Sequence, residues 1–529
     1  MPIGPIDTLT FFGDSLTDTG IMSGLTGRNL IVTVPTPDSG YGVSFSNGPV
    51  YSRVMSDLLI AGGDLGASRS LAVGGAHAVG DLTFAEYVAA RVGAQLPPGE
   101  IYQPDADPAE LDMVLDLAGQ VGRYVANPPG GAVAINIGLN DYSEFAPTSP
   151  GSALAEGAAL VQAVLTSTAG AAYAAVAAGA EQVILYNLPS FRFFPLSTLR
   201  SEAELVLGDQ LLAGHNQGIA GIAAGLGAAG IEAMVVDVNR MSAEIGADAA
   251  TFGFRPDLFL QPALLGTGGN PTLVEQPDGS YLALFPPNPA VAGVPVDQIA
   301  FWDFVHPTEA LHGVWGAFSA ESLRSETIFR DTGDDRIGGG PGRTLVLAGA
   351  GDDRVTLKGA PDVAFGGLGD DRAYGGAGAD ILSGGAGDDR LLGGRGDDVL
   401  ADGAGCDVSF GGRGADLLID GAGFDRLHGG KGCDAFVFEA ATLRGGSLAG
   451  NGGIMRGGAG HDTAYLVLDG ATRAAVEAEL TPGGGPQHLA SIGLSLRGIE
   501  SIVLLDAADA VDHVSTPARL HEADLWGLV

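Results

Sequence analysis

The chain has 529 residues, 46% of them apolar, and carries 63 acidic against 26 basic residues for a formal net charge of −37. So acidic a surface repels phosphate backbones and anionic bilayers, which excludes nucleic-acid binding and phosphate tracking. The 86 glycines crowd between about 330 and 460; against an ordinary usage of ~7% they mark a second architecture within the chain.

The N-terminus, Met1-Pro2-Ile3-Gly4, lacks the basic and apolar regions of a signal peptide. No transmembrane segment is expected. The nearest approach to one, from Ala169 to Leu185, is mostly Ala and Gly with Glu181 inside it, and reads as a buried helix running into a strand. Export, on this reading, uses a route that needs no N-terminal signal.

Strands are predicted over Leu9–Phe12, Ser70–Val73, Ala132–Ile137, Gln182–Tyr186 and Ala233–Val238. They are short apolar runs without alternation, the pattern of strands covered on both faces. Helical stretches separate them over Val50–Ile60, Ala109–Val125, Ala153–Ala178, Ala203–Leu226 and Thr308–Arg324. This alternation predicts a parallel sheet between helix layers, with working residues at the carboxyl ends of the strands. The stretch from Arg255 to Gln298, rich in Pro, Leu and Phe, reads as a surface excursion packed on the core. Its functional reading is an apolar lip that admits acyl chains.

Four of these junctions carry chemistry. Phe11-Phe12-Gly13-Asp14-Ser15-Leu16 puts a serine hydroxyl at a strand-to-helix turn, where a helix N-terminus favours an oxyanion. Gly74-Gly75 follows the second strand and offers an unhindered backbone N–H. Gly138-Leu139-Asn140-Asp141 follows the third and offers a side-chain amide. Asp303-Phe304-Val305-His306-Pro307-Thr308 comes after the fifth: an imidazole can take the serine proton, and a carboxylate three residues away can hold its tautomer. Asp14 and Asp18 read as turn or cap residues, Asp141 as a local acceptor, and His215 and His312 as residues of structural helices. A Gly-x-Ser-x-Gly elbow is absent.

With these motifs, and with Leu71-Ala72-Val73-Gly74-Gly75-Ala76, Phe45–Pro49 and Tyr186–Pro189, the sequence from about 7 to 325 resembles the GDSL (SGNH) hydrolase family, in its bacterial lipase and esterase branch. Leu71 stands where many relatives carry Asn. The resemblance implies a three-layer, flavodoxin-like α/β domain. It implies Ser15 as nucleophile, His306 as base and later acid, and Asp303 as the residue that orients His306. Gly75 and Asn140 then complete an oxyanion hole with the Ser15 backbone N–H.

A nine-residue period begins near Arg330 and holds to Val437, twelve units with Asp in the sixth place of eleven. The eighth place is usually apolar, from Ile337 to Phe436. A fixed period of this length is a solenoid signature. The repeat contains no Glu, and that preference for Asp points to ligand geometry, since Ca²⁺ takes hard carboxylate oxygens. Units such as Gly384–Leu392 resemble the RTX nonapeptide of calcium-binding parallel β-rolls. The resemblance implies two units per turn and Ca²⁺ between stacked loops, held by Asp353, Asp371, Asp380, Asp389, Asp398, Asp407, Asp416, Asp425 and Asp434. Units starting at 339 and 357 are weaker, because Thr344 replaces the Asp and Ala360 a Gly. One unit, Gly457–Tyr465, is out of phase, and the segment around it predicts a mixed cap on the solenoid. Cys406 and Cys433 share place five at an odd offset of three units, which predicts two free thiols.

The expected organisation is a hydrolase domain over 1–326, a calcium-binding β-roll over 327–440 and a C-terminal cap over 441–529. The expected function is a secreted carboxylic ester hydrolase working through a serine acyl-enzyme on an ester substrate, lipids included, with structural Ca²⁺ in the repeats. RTX modules resemble those of proteins exported by the type I secretion apparatus, which implies an extracellular location and a role for Ala510–Val529 as the segment the transporter reads. Two other functions fit the same residues: acyl transfer to an alcohol by the same acyl-enzyme, and a calcium-dependent extracellular structural protein whose hydrolase domain is inert.

Overall fold

The computed structural model describes residues 6–14, 50–72, 76, 78–79, 116–247, 249, 252, 254–264, 272–275, 281–284, 288–292, 294, 298–301, 306–330, 332–439, 452–481 and 485–506. The chain divides into two units, one of Ile3–Ala243 with Asp257–Ala320, the other of Met1–Pro2, Glu244–Pro256 and Glu321–Val529.

The first unit is built on a five-stranded sheet of β1 (Ile6–Gly13), β2 (Leu65–Ser70), β3 (Ala132–Asn136), β4 (Gln182–Tyr186) and β5 (Glu232–Val236). The spatial order is β2-β1-β3-β4-β5, and every pairing is parallel. β3 and β4 are buried at every position, as their unbroken apolar runs predict. The second strand departs from expectation: it covers Leu65–Ser70, and the apolar run from Leu71 lies beyond its end. β2 pairs only with β1 and buries only Leu65 fully. An edge strand of this kind has no need of the apolar run that the sequence reading looked for.

Around the sheet lie α1 (Tyr51–Gly62), α2 (Leu117–Ala126), α3 (Leu139–Ser143), α4 (Ala153–Ala177), α5 (Glu202–Ala228), α6 (Val238–Ala247) and α7 (Glu309–Arg324). Residues 109–115, the first part of the predicted second helix, lie outside the described residues. Ser201 and Glu204 form a reciprocal capping box that starts α5. α4 is long and apolar enough, by length and composition, to cross a membrane. In this fold it packs against α2 and α5 and buries Val164, Thr168, Ala171, Ala172 and Ala175. Gly157 and Gly218 let α4 and α5 close on each other, because a methyl group at either would strike Leu211 or Leu165 of the facing helix. Within the excursion after Arg255, Phe259 packs edge-on against Phe193 and Phe301, at 5.5 and 5.7 Å between ring centroids. That part rests on the core. Most of 265–297, on which the acyl-lip reading depends, lies outside the described side chains. The architecture is a flavodoxin-like α/β domain followed by a parallel roll.

The second unit is that roll. Strands Thr344–Ala350, Val363–Leu368, Ile381–Ala386 and Val399–Gly405 pair in parallel, each with the strand 18 residues later. Strands Arg354–Thr356, Arg372–Ala377, Arg390–Arg395 and Val408–Arg413 do the same on the opposite face. Two nine-residue units therefore make one turn. Side chains of place eight fill the interior, among them Ile337, Val346, Val355, Leu382, Leu391 and Leu400. Phe252, from the segment Glu244–Pro256, stacks on Phe365 at 5.3 Å. The unit Gly457–Tyr465 is out of phase in sequence yet in register in space. Gly452–Ala459 pairs with Ala422–Lys431, and Thr463–Leu468 pairs with Ala435–Glu439. Leu494–Arg497 and Ser501–Asp506 add one further layer, and the helix Gly470–Glu479 lies beside it. Cys406 and Cys433 are both free and exposed.

Candidate functional site

β1 pairs with β2 on one side and β3 on the other, so the order of the sheet reverses at β1 and the chain leaves β1 and β3 on opposite sides of a crevice. Gly13, the last residue of β1, stands opposite Asn136, the last of β3. Gln120 of α2 fixes that strand end from both directions. The Gly13 N–H donates to Gln120 Oε1 and Gln120 Nε2 donates to the Gly13 carbonyl, each at 2.8 Å. Asp14 is buried directly after it. Ser15, Gly75 and Asp303 lie outside the described residues; Asn140 and His306 lie within them.

Gly138, at φ 120°, turns the chain from β3 into α3, a backbone conformation that favours glycine. The short helix then grips the loop that follows Gly74-Gly75. Asn140 Nδ2 donates to the Ala76 carbonyl at 2.9 Å. The Asp141 carboxylate accepts from Ala78 N–H at 2.8 Å and from Val79 N–H at 3.1 Å. Asp141 is thus the local acceptor it was expected to be.

His306 is half-buried just ahead of α7, where Pro307 bridges to Phe301. Thr308 anchors the entry to the helix: its hydroxyl donates to the Ile299 carbonyl at 2.7 Å. One helical turn later, His312 is fully buried and its Nδ1 accepts from the Tyr51 N–H at 3.2 Å. Tyr51 in turn accepts through its hydroxyl from Asn136 Nδ2 at 2.8 Å. This relay joins the start of α7 to the carboxyl end of β3. Burial, and next the His306 imidazole, hold His312 down at about 3. Burial likewise holds His215 at about 4, and its Nδ1 lies 2.9 Å from the Tyr142 hydroxyl. Both imidazoles are neutral at ordinary pH, and both lie on helices, as the sequence reading expected. Gln120, Tyr51 and Asn136 were not singled out from the sequence.

Beside α3 lies a cavity of about 580 Å³. Its walls are mostly apolar and include Tyr142, Phe145, Leu154, Phe191, Leu196 and Leu211.

In the roll, the place-six carboxylates stack in two ladders. On one, Asp353, Asp371, Asp389 and Asp407 each donate their N–H to Oδ1 of the Asp one turn later, ending on Asp425, at 2.7 to 2.8 Å. On the other, the series runs from Thr344 through Asp362, Asp380, Asp398, Asp416 and Asp434 to Asp462, and Asp462 donates to Glu500 Oε2 at 2.9 Å. Asp462 and Glu500 extend the ladder past the sequence period, and only the phase shift hid them. The second oxygens of Asp353, Asp371, Asp389, Asp407, Asp425 and Asp434 are buried and receive no hydrogen bond. Each ladder side chain of the regular units is also given its space by the place-one glycine. A methyl group on Gly366, Gly375, Gly384, Gly393, Gly411 or Gly429 would collide with Oδ2 of that unit's own Asp. Burial, and then neighbouring carboxylates, push Asp371 and Asp407 up to about 7 and Asp389 up to about 8. Rows of buried carboxylate oxygens without donors, in pockets kept open by glycine, fit a hard divalent cation. Asp362 differs, since its Oδ2 accepts from the Lys358 N–H at 3.4 Å.

Sheet order, crevice and motifs together define an α/β ester hydrolase joined to a metal-binding solenoid. The chain belongs to the GDSL-like lipase/acylhydrolase family, whose family model matches residues 9–317, more than half of its length. The model of the RTX calcium-binding nonapeptide repeat matches residues 365–400 and 410–437. No curated protein matches the chain. The protein is accordingly a hydrolase of esters, and its repeat module takes structural Ca²⁺.

Proposed function

We propose that the protein is an exported carboxylic ester hydrolase that works through an acyl-enzyme on Ser15. The Ser15 hydroxyl attacks the ester carbonyl carbon while His306 takes its proton, and Asp303 holds the imidazole in the productive tautomer. The negative charge that develops on the carbonyl oxygen is met by the N–H groups of Ser15 and Gly75 and by the Asn140 amide. The C–O bond to the alcohol then breaks, with His306 returning the proton to the leaving oxygen. Water, deprotonated by the same imidazole, attacks the acyl-enzyme and releases the acid.

One observation supports this reading: described residues that flank the motifs meet near the carboxyl ends of β1 and β3. Gly13 faces Asn136, Asn140 reaches the loop at Ala76, and the Tyr51 relay ties the start of α7 to Asn136. The apolar cavity beside α3 offers room for an acyl chain. In the roll the proposed ligands are Asp353, Asp371, Asp380, Asp389, Asp398, Asp407, Asp416, Asp425 and Asp434, and type I export to the cell exterior fits such a module. Replacing Ser15 with Ala tests the mechanism. We expect kcat on a simple aryl ester to fall by about 10⁴-fold or more with the fold unchanged. A Ser15→Ala enzyme as active as the parent would end the acyl-enzyme reading.

A further inference from the structure

Place one of the repeat is glycine in the units at 366, 375, 384, 393, 411 and 429, and there the missing side chain leaves room for the carboxylate of place six. From 366 onward two units depart from this. Asp402 and Asp420 occupy place one, 18 residues apart, and so stand on adjacent turns of the same face, beside the paired strand residues Ala401 and Ile419. Asp402, Asp420 and Asp425 each bring one oxygen within 4.8 Å of the others.

The three side chains are buried, Asp402 and Asp425 completely and Asp420 with 6% exposure. Asp402 Oδ1 accepts from the Gly421 N–H at 2.7 Å, and Asp425 Oδ1 accepts from the Asp407 N–H at 2.8 Å. The remaining oxygens, Asp402 Oδ2, Asp425 Oδ2 and both of Asp420, receive no hydrogen bond. Ionised carboxylates packed this closely away from water need a cation among them.

We propose that Asp402, Asp420 and the repeat ligand Asp425 form one calcium site, with the place-one carboxylates as added ligands, and that it holds its ion most tightly. The inference rests on the calcium-roll reading and adds ligands at a place where the repeat has none. Oxygen-only donors suit Ca²⁺ or Mg²⁺, and a dry, buried pocket favours Ca²⁺, because Mg²⁺ gives up its waters reluctantly. Affinity at oxygen sites rises with the number of charged ligands and with the rigidity of the cage. Three buried carboxylates, two of them anchored by backbone N–H groups, therefore make this the last site to empty as calcium falls.

The test is calcium release from the full-length, calcium-loaded protein into an excess of chromophoric chelator, counted as ions per chain. The parent is compared with D402G/D420G, which restores the glycine of the other units, and with D402N/D420N, which keeps the side-chain volume and removes the charge. The parent should release one ion in a separate phase, about tenfold or more slower than the rest. Both variants should lose that phase while circular dichroism at saturating calcium still shows the roll. Should D402G/D420G fail to fold, D402N/D420N decides alone. A slow phase that survives in a folded variant, or a parent that releases all its ions together, overturns the proposal and leaves the roll reading standing. A parent that binds no calcium overturns both.

Discussion

Asn140 donates one amide hydrogen to Ala76 and has a second to offer, so its amide is already oriented before a substrate arrives. A donor fixed in advance helps most where charge develops, in the transition state. Asn140→Ala should therefore lower kcat by about 10²–10³-fold and move KM little, as read from steady-state kinetics on a soluble ester. An equal loss confined to KM would assign Asn140 to ground-state binding. At this scale the sequence is legible where a residue sits in a contiguous motif, as does Asp141, which accepts from the loop at Ala78 and Val79. It is silent on Gln120, Tyr51 and Asn136. Each acts by one or two bonds to groups 85 to 261 positions away, and no local spacing announces such bonds.

Among elements, the roll was legible almost completely, because one period sets its strands, its core and its carboxylates together. The exception at Thr344 has a physical reason. It opens its ladder and donates its own N–H to Asp362, while no earlier place-six residue of that ladder needs an acceptor from it. Glycine at place one carries the complementary constraint. Gly384→Ala would drive a methyl group into Asp389 Oδ2 and the Asp402 carbonyl. Gly338→Ala would meet nothing within 4 Å. Overpacking of this kind costs about 1–3 kcal/mol. The first substitution should lower the melting temperature of the calcium-loaded roll and raise the calcium needed to fold it, while the second leaves both nearly unchanged; equal melting curves would refute the steric account. β2 was misplaced because an edge strand with one fully buried residue carries little apolar signal. The unit at 457 looked isolated because a one-dimensional period cannot carry its phase across an insertion.

Over the whole molecule, the net charge of −37 makes protons and calcium rivals. Asp371, Asp389 and Asp407 sit at about 7 to 8 in the metal-free roll, well above the ordinary 3.8, chiefly through burial. The folded roll then holds protons that the unfolded chain has already shed. Its metal-free stability must therefore fall as pH rises from about 4 to about 8 and level off above that. In chelator, the melting temperature of the roll should climb on acidification through this window. Calcium binding near neutrality should release protons into a weakly buffered solution and weaken as pH drops. Melting that is flat with pH, together with proton-free binding, would show that these carboxyls are ionised without the metal.

The ladders also have a direction. The place-six N–H groups of both ladders, up to Asp407 on one and Asp434 on the other, lean on an oxygen of a later turn. The final acceptors of the longer ladder, Asp462 and Glu500, stand next in sequence to an apolar cluster that includes Phe436, Phe438, Met455, Leu466 and Leu494. Toward the other end, Ala364 and Ala373 thin that interior. Assembly should accordingly start at the tail and zip backward, with amide protection in pulsed hydrogen exchange appearing at 436–496 before 337–373; the reverse order would refute it. A chain delivered tail first finds each partner waiting, whereas one delivered head first must hold its turns open until the last has arrived.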